Sequence, residues 1–185
     1  AATQAATPHQ KQLEIPPEIE PFLIEFESHS KNIVGAPVTT PSLKIDDLII
    51  RIVDQVPGYA EPLGVPGSCQ KYENQTPVIF LDHSQYYLHY VNRNDLATGY
   101  FDLRQSIFHL LAHCLLAKND DFTTNILAGP PMHILPTSLM NPSWRWDNFS
   151  FSELSYGGVY NTMDSGHFYQ LTDKLFENTQ YDPNN

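Results

Sequence analysis

An apolar segment in the middle of the chain constrains the fold more than any other part of the sequence. Asp102 and Gln105 match the capping-box pattern, which predicts a helix that begins there and runs to about Lys118. The apolar residues of this helix cover most of its circumference, so it should be buried on several sides. Those residues are Leu103, Ile107, Phe108, Leu110, Leu111, Cys114 and Leu115. The rest of the chain must therefore pack around this helix.

The remaining elements are shorter and are separated by turn-forming residues. Apolar and β-branched patterns predict a helix at 16–33, strands at 43–53 and 77–82, a long loop at 120–143 and a last helix at 165–177. Strands ahead of a buried helix, followed by loops and a final helix, indicate an α+β domain. Residues 1–15 predict a disordered lead-in, left after removal of a signal peptide or leader, and residues 16–185 a single domain.

The charge balance narrows the classes of partner. The chain has 21 acidic and only 10 basic side chains, a net charge of −11, whereas nucleic-acid binding needs clustered Lys and Arg. No apolar run approaches the roughly 20 residues that a transmembrane helix needs. We therefore expect no nucleic-acid partner and no transmembrane segment. The few basic residues, the 15 prolines and the many Asn, Ser, Thr and Tyr residues favour an extracytoplasmic protein. Cys69 and Cys114 permit either one disulfide in an oxidising compartment or two buried thiols.

Two histidines of the predicted central helix, His109 and His113, are four residues apart. Residues at i and i+4 lie one above the other on a single helix face, so the two imidazoles could bind one metal ion. Zinc suits this spacing but requires a third protein ligand. The candidates are Asp120, Asp121, His133 and His167, and Asp164 with His167 forms a second possible pair at i and i+3. The alternative is that both histidines are hydrogen-bonded core residues and that the acidic residues form a solvated loop.

Four segments together resemble a known family. IFHLLAHCLL at 107–116 is similar to a motif in which apolar residues precede H-E-x-G-H-C, and PTSLMNPS at 136–143 resembles a methionine turn. GSCQKY followed by PVIFLD, and then FYQLTDKLF near the C-terminus, complete the series in order. The series resembles the metzincin type of zinc metallopeptidase, especially small secreted bacterial members. The resemblance implies a mixed sheet packed on a central active-site helix, a methionine turn and a C-terminal helix.

The resemblance also assigns a metal site. It implies that His109, His113 and Asp120 bind zinc, because the third ligand of the family follows the second histidine by six to seven residues. Met140 would lie in the methionine turn beneath the metal. Zinc retention is an open question at this point, since the site departs from the family pattern elsewhere.

The departure concerns the catalytic base. The family has glutamate after the first histidine, where this chain has Leu110. That glutamate acts as general base, a contribution of about 10²–10⁴-fold in rate, and leucine cannot replace it. The same resemblance implies a disulfide between Cys69 and Cys114, which would join the strand region to the central helix.

The leading hypothesis is therefore a catalytically impaired metallopeptidase homologue, or pseudopeptidase. It would bind a peptide or protein in its residual cleft, along an edge strand near Val78–Leu81. We expect a secreted, periplasmic or lipid-anchored protein of a bacterium. One alternative is an active zinc hydrolase whose base is Glu153, Asp164 or a zinc-bound hydroxide acting unaided. Another is a metal-free structural or surface-interaction domain.

Overall fold

The fold combines a four-stranded mixed sheet with a long buried helix. A computed structural model describes residues 8–30, 43–58, 67–83, 96–121, 124–127, 133–136, 138–140 and 174–176. The elements of this part are, in chain order, β1 (Leu13–Glu14), α1 (Glu20–Ser30), β2 (Leu48–Val53), β3 (Gly67–Gln70), β4 (Val78–Asp82), α2 (Leu96–Leu116), β5 (Thr124–Leu127) and β6 (His133–Pro136). The α+β class is confirmed. Neither of these helices is long and apolar enough to cross a membrane.

The four-stranded sheet has the order β1–β2–β4–β3. β1, β2 and β4 are parallel, with Ile50 of β2 opposite Ile79 of β4, and β3 is antiparallel to β4. In β4, Ile79 and Leu81 are buried and the other three residues are half-buried, because successive side chains of a strand point to opposite faces. β2 begins five residues later than the predicted 43–53, whereas β4 matches its predicted range within one residue.

The position of β4 corrects one sequence-based expectation. β4 is paired with β2 on one side and with β3 on the other, so its backbone has no free side for an added strand. The prediction that a peptide binds along Val78–Leu81 is therefore wrong in its location. The apolar run of β4 reflects a strand covered by neighbours on both sides. Among the strands that the structure describes, β3 forms this edge of the sheet instead.

The C-terminal half of helix α2 is buried, as predicted, and it contributes seven of the 21 buried hydrophobic residues in the described part of the chain. The buried residues are Ile107, Phe108, Leu110, Leu111, Ala112, Cys114 and Leu116. The helix begins at Leu96, so Asp102 lies inside it and the predicted capping box is wrong. Residues i and i+3 are also neighbours in a helix interior, and their spacing alone does not identify a helix start.

Helix α1 packs against α2 through aromatic and charged side chains. Its apolar stripe is buried and consists of Phe22, Leu23 and Phe26, with Ile19 immediately before the helix. The ring of Phe26 packs edge to face against Phe108, with 5.1 Å between the ring centroids. It also packs against Phe176, with 4.9 Å between the centroids. Beside these rings, Arg104 Nη2 lies 3.1 Å from Glu25 Oε1, and the Arg104 side chain is buried. This ion pair joins the two helices at the edge of the aromatic cluster.

The N-terminal segment is tied to the sheet. Leu13–Glu14 form β1 and pair in parallel with Leu48 and Ile49 of β2. Asp47 accepts hydrogen bonds from His9 Nε2 at 2.6 Å and from the Gln12 N–H at 2.9 Å. Residues 8–15 of the stretch expected to be a disordered lead-in thus belong to the described part of the chain. Residues 1–7 lie outside the described residues, and the single domain at 16–185 stays a prediction.

The region after α2 also differs from its prediction. β5 and β6 form an antiparallel pair inside the stretch 120–143, which was expected to be a loop. The Thr, Gly and Pro residues around these short strands are typical of turns, and for that reason the sequence predicted a loop. Of the predicted last helix at 165–177, residues 174–176 are helical, with Leu175 and Phe176 buried, and the rest lies outside the described residues.

Candidate metal site

Three side chains converge at the C-terminal end of α2. His109 Nε2 and His113 Nε2 are 2.9 Å apart, and Asp120 Oδ1 lies 3.3 Å from the first and 3.0 Å from the second. The ligand-capable atoms of the three residues all lie within 4.8 Å of one another. The structure thus brings together the three residues predicted as metal ligands.

The hydrogen bonds of the two rings decide which nitrogens are available. His109 Nδ1 lies 2.8 Å from the carbonyl oxygen of Leu139, and His113 Nδ1 lies 2.7 Å from that of Lys118. A carbonyl oxygen only accepts, so each Nδ1 must carry the proton and donate it. In a neutral imidazole the other nitrogen then bears a free lone pair. Both Nε2 lone pairs therefore face each other and the Asp120 carboxylate.

This donor set fits a metal ion. A tetrahedral zinc ion with bonds of about 2.0–2.2 Å places its ligand atoms roughly 3.3–3.6 Å apart. The observed separations of 2.9 and 3.0 Å are shorter than these values, and the third separation, 3.3 Å, lies at their lower limit. Small rotations of the side chains would open the triangle enough to hold the ion. Metal-binding histidines commonly donate their other N–H to a backbone carbonyl, as both histidines do here.

The end of the helix brings Asp120 back toward the histidines. Ala117 follows the last helical residue with a φ of 50°, in the left-handed region that reverses the chain direction. The next residue, Lys118, donates its N–H to the carbonyl of Ala112 at 3.1 Å and so closes the helix end. The carbonyl oxygen of Lys118 accepts the hydrogen bond that orients His113. One turn therefore ends the helix, fixes one histidine and places the carboxylate.

Burial and charge set the protonation states of the cluster. His109 is buried, His113 half-buried and Asp120 exposed. Burial lowers the pKa of His113, and the nearby His109 lowers it further, against the opposing influence of Lys118 and Asp120. The close contact with His109, at 3.3 Å, is the main influence that lowers the pKa of Asp120, and it outweighs the opposing effect of burial. At neutral pH these shifts favour a neutral imidazole beside an ionised carboxylate, which are the forms that bind metals.

Leu110 points into the core. It is buried, and a β-carbon added to Gly67 would lie 2.8 Å from its Cδ1 atom and 2.5 Å from the carbonyl oxygen of Phe80. The first residue of β3 therefore packs directly on Leu110, at a position where only glycine leaves enough space. The residue that follows the first histidine is therefore a packing contact between α2 and the sheet.

The predicted disulfide is confirmed. Cys69 of β3 and Cys114 of α2 are bonded, with Cα atoms 5.6 Å apart. Cys114 directly follows His113, and it lies one helical turn after Leu110 on the same face of α2. β3 is consequently fixed to the helix at two points, next to the histidine pair.

Met140 is buried close to this site. Its carbonyl oxygen accepts a hydrogen bond from the N–H of Asp121 at 2.8 Å, and the preceding residue, Leu139, accepts from His109. Residues 138–140 are thus hydrogen-bonded both to the helix and to the loop that carries Asp120. The role of the Met140 side chain as a turn beneath a metal stays a prediction.

Some of the predicted ligand and base candidates are not tested by the structure, and two backbone groups of the site could not be predicted from the sequence. His133 lies in β6, Asp121 contributes its backbone N–H, and positions 153, 164 and 167 lie outside the described residues. The carbonyls of Lys118 and Leu139 were missed because every residue has a carbonyl, so sequence patterns do not distinguish them.

Comparison with protein-family models, with curated proteins and with solved structures gives no match to this chain. The geometry of the site is therefore the basis for its functional interpretation.

Proposed function

We propose that this protein is a metzincin-like metallopeptidase homologue that binds zinc and a peptide but cleaves peptides poorly or not at all. The observation that carries the proposal is the convergence of His109 Nε2, His113 Nε2 and Asp120 Oδ1, each within 3.3 Å of the other two. The two Nδ1 hydrogens are committed to carbonyl oxygens, which leaves the Nε2 lone pairs for an ion.

The ligand types favour zinc among the common ions. Two imidazole nitrogens and one carboxylate oxygen form a set that zinc accepts, whereas calcium and magnesium prefer oxygen ligands alone. Three protein ligands also leave a fourth position for water or a substrate oxygen, as in catalytic zinc sites. Bound zinc would supply Lewis acidity and lower the pKa of bound water.

The residue at the position of the general base explains the proposed loss of activity. Leu110 has no ionisable group, and its buried packing against Gly67 directs it away from solvent. A missing general base typically lowers a rate by about 10²–10⁴-fold. Weak hydrolysis by zinc-bound hydroxide is compatible with the proposal, but efficient peptidase turnover is not.

β3 is the proposed binding strand for a peptide. Among the described strands it pairs only with β4, and strand addition would use the other side of its backbone. The Cys69–Cys114 disulfide fixes this strand beside the helix that carries the histidines. A peptide added to β3 would run close to the metal site. A disulfide also suits a secreted or periplasmic location.

A metal-free interaction domain is the second candidate function. The separation of 2.9 Å between the two Nε2 atoms also suits a direct hydrogen bond, if one of them carries a proton. The carboxylate of Asp120 would then stabilise the added charge. In that case the cluster would be a structural core element and β3 would act without a metal.

Metal analysis separates the two candidates. We expect purified protein to bind one zinc ion per chain, and His113→Ala to lose it. His83→Ala is the matched control, because it removes a partly exposed histidine that pairs with Asp54 at 3.5 Å. Absence of stoichiometric zinc after dialysis against micromolar zinc would favour the metal-free domain.

A peptide-library assay tests the loss of catalysis. The zinc-loaded native protein should cleave peptides at a rate that exceeds that of the His113→Ala variant by no more than a small factor. Efficient cleavage by the native protein, abolished in that variant, would overturn the pseudopeptidase proposal and favour an active hydrolase with another base.

A further inference from the structure

Three consecutive residues, 138–140, connect the parts of the metal site. Ser138 Oγ accepts a hydrogen bond from the Met140 N–H at 3.1 Å, and the carbonyl of Leu139 accepts from His109 Nδ1 at 2.8 Å. The carbonyl of Met140 accepts from the N–H of Asp121 at 2.8 Å. Leu139 and Met140 are both buried, and Ser138 is half-buried.

Two of these hydrogen bonds use the same peptide unit. The carbonyl of Leu139 and the N–H of Met140 belong to one planar group, in which they point in opposite directions. When Ser138 Oγ holds the N–H on one side, the carbonyl must point to the other side, where His109 lies. The serine hydroxyl thus determines the direction of a carbonyl that it does not touch.

We propose that Ser138 is a positioning residue for the metal site, which fixes the Leu139–Met140 peptide plane and so keeps the Nε2 lone pair of His109 free to bind metal. The effect of Ser138 on metal binding rests on the proposed zinc-binding function. The orientation of the peptide plane toward His109 is a property of the metal-free chain.

The opposite orientation of this peptide explains why the hydroxyl matters. A rotated peptide would present an N–H to His109 Nδ1, which would then have to accept. The proton of the neutral ring would move to Nε2 and occupy the lone pair that faces His113 and Asp120. Ser138 prevents this exchange because it offers an acceptor on the side away from the ring.

The experiment uses the full chain and reads two quantities. Ring ¹H–¹⁵N correlation spectra of the zinc-free protein identify the protonated nitrogen of His109, and competition with a chromophoric chelator gives the zinc affinity. In Ser138→Ala we expect a mixture of the two His109 tautomers and zinc affinity lowered by about 10–100-fold, the usual effect of losing an outer-shell partner.

Two variants serve as controls. Ser138→Thr keeps the hydroxyl and should keep both the Nδ1-protonated tautomer and the zinc affinity. Ser28→Ala removes a serine whose hydroxyl donates to the carbonyl of Glu25 at 2.6 Å in α1, and it should change neither quantity.

The outcomes distinguish the inference from the proposed function. If the native protein binds no zinc but Ser138→Ala shifts the His109 tautomer, the metal proposal fails and the positioning role stands. If Ser138→Ala keeps the native tautomer and zinc affinity, the inference is overturned. It is also overturned, without any variant, if His109 of the native zinc-free protein is protonated on Nε2. Should Ser138→Ala not fold, Ser138→Val against Ser138→Thr gives the same comparison at equal side-chain volume.

Discussion

The crosslink between Cys69 and Cys114 should make a large contribution to stability. The bonded residues are 45 positions apart in the chain. For a closed loop of this length, the loop-closure relation gives an entropy loss of about 13 cal/mol/K in the unfolded chain, or about 4 kcal/mol at 25 °C. In a domain of this size, 4 kcal/mol corresponds to a fall in Tm of roughly 8–16 °C.

Urea unfolding in the presence of EDTA measures this contribution. The native protein is compared in its oxidised form and after treatment with a dithiol reductant, so that no atoms are removed from the core. We expect the reduced protein to unfold at a lower urea concentration and with a larger m-value, because the open chain exposes more surface. Cys69→Ala/Cys114→Ala is the control, since the reductant should not affect it. Identical unfolding curves for the oxidised and reduced native protein would refute the reasoning.

Three further changes test the environment of the site. Leu110→Glu should lower the free energy of unfolding by at least about 3 kcal/mol in urea, because it places a carboxylate in the core, whereas Leu110→Met should cost less than about 1.5 kcal/mol. Equal midpoints for these two variants would contradict the buried position of Leu110. Ala117→Gly should raise the free energy of unfolding by up to about 1 kcal/mol, because glycine adopts the left-handed φ without strain; a lower urea midpoint would argue against that strain. The zinc-free protein should lose stability as the pH falls below 6.5, because the lowered pKa of His113 makes the native state take up its proton less readily than the unfolded state. The lowered pKa of Asp120 acts in the same direction, since its stabilising effect is present above 3.8 and is lost in more acidic solution. His113→Gln should show a smaller decline in urea midpoint between pH 7 and 5, and a decline as steep as that of the native protein would be inconsistent with this assignment.

The periodic parts of the fold could be predicted from the sequence. The stripe of α1, the strand β4 and the buried half of α2 each contain a repeat of apolar residues that matches their geometry. The start of α2 and the strands β5 and β6 could not be located, because Asp102 fits a helix interior as well as a cap and the strands have four residues each. β4 is central because it pairs with both β2 and β3. The sequence of a single strand does not show which strands pair with it.

The candidate site divides in the same way. His109 and His113 follow from helical spacing, which is a local property of the sequence. Asp120 required the resemblance to a family, since the turn at Ala117 that brings it back has no glycine to mark it. The orienting carbonyls depend on the tertiary fold alone. Spacing predicts which side chains share a face, but not which backbone groups lie behind them.

The unequal exposure of the three proposed ligands has a consequence for exchange kinetics. His109 is inside, His113 is half-covered and Asp120 faces solvent, so the carboxylate is the group nearest to an arriving ion or to a competing chelator. A chelator would therefore reach Asp120 and the exposed part of His113 before it reached His109. We expect release of an ion bound at this site to begin with the carboxylate, which lies in the turn that follows the helix, and not with the buried imidazole.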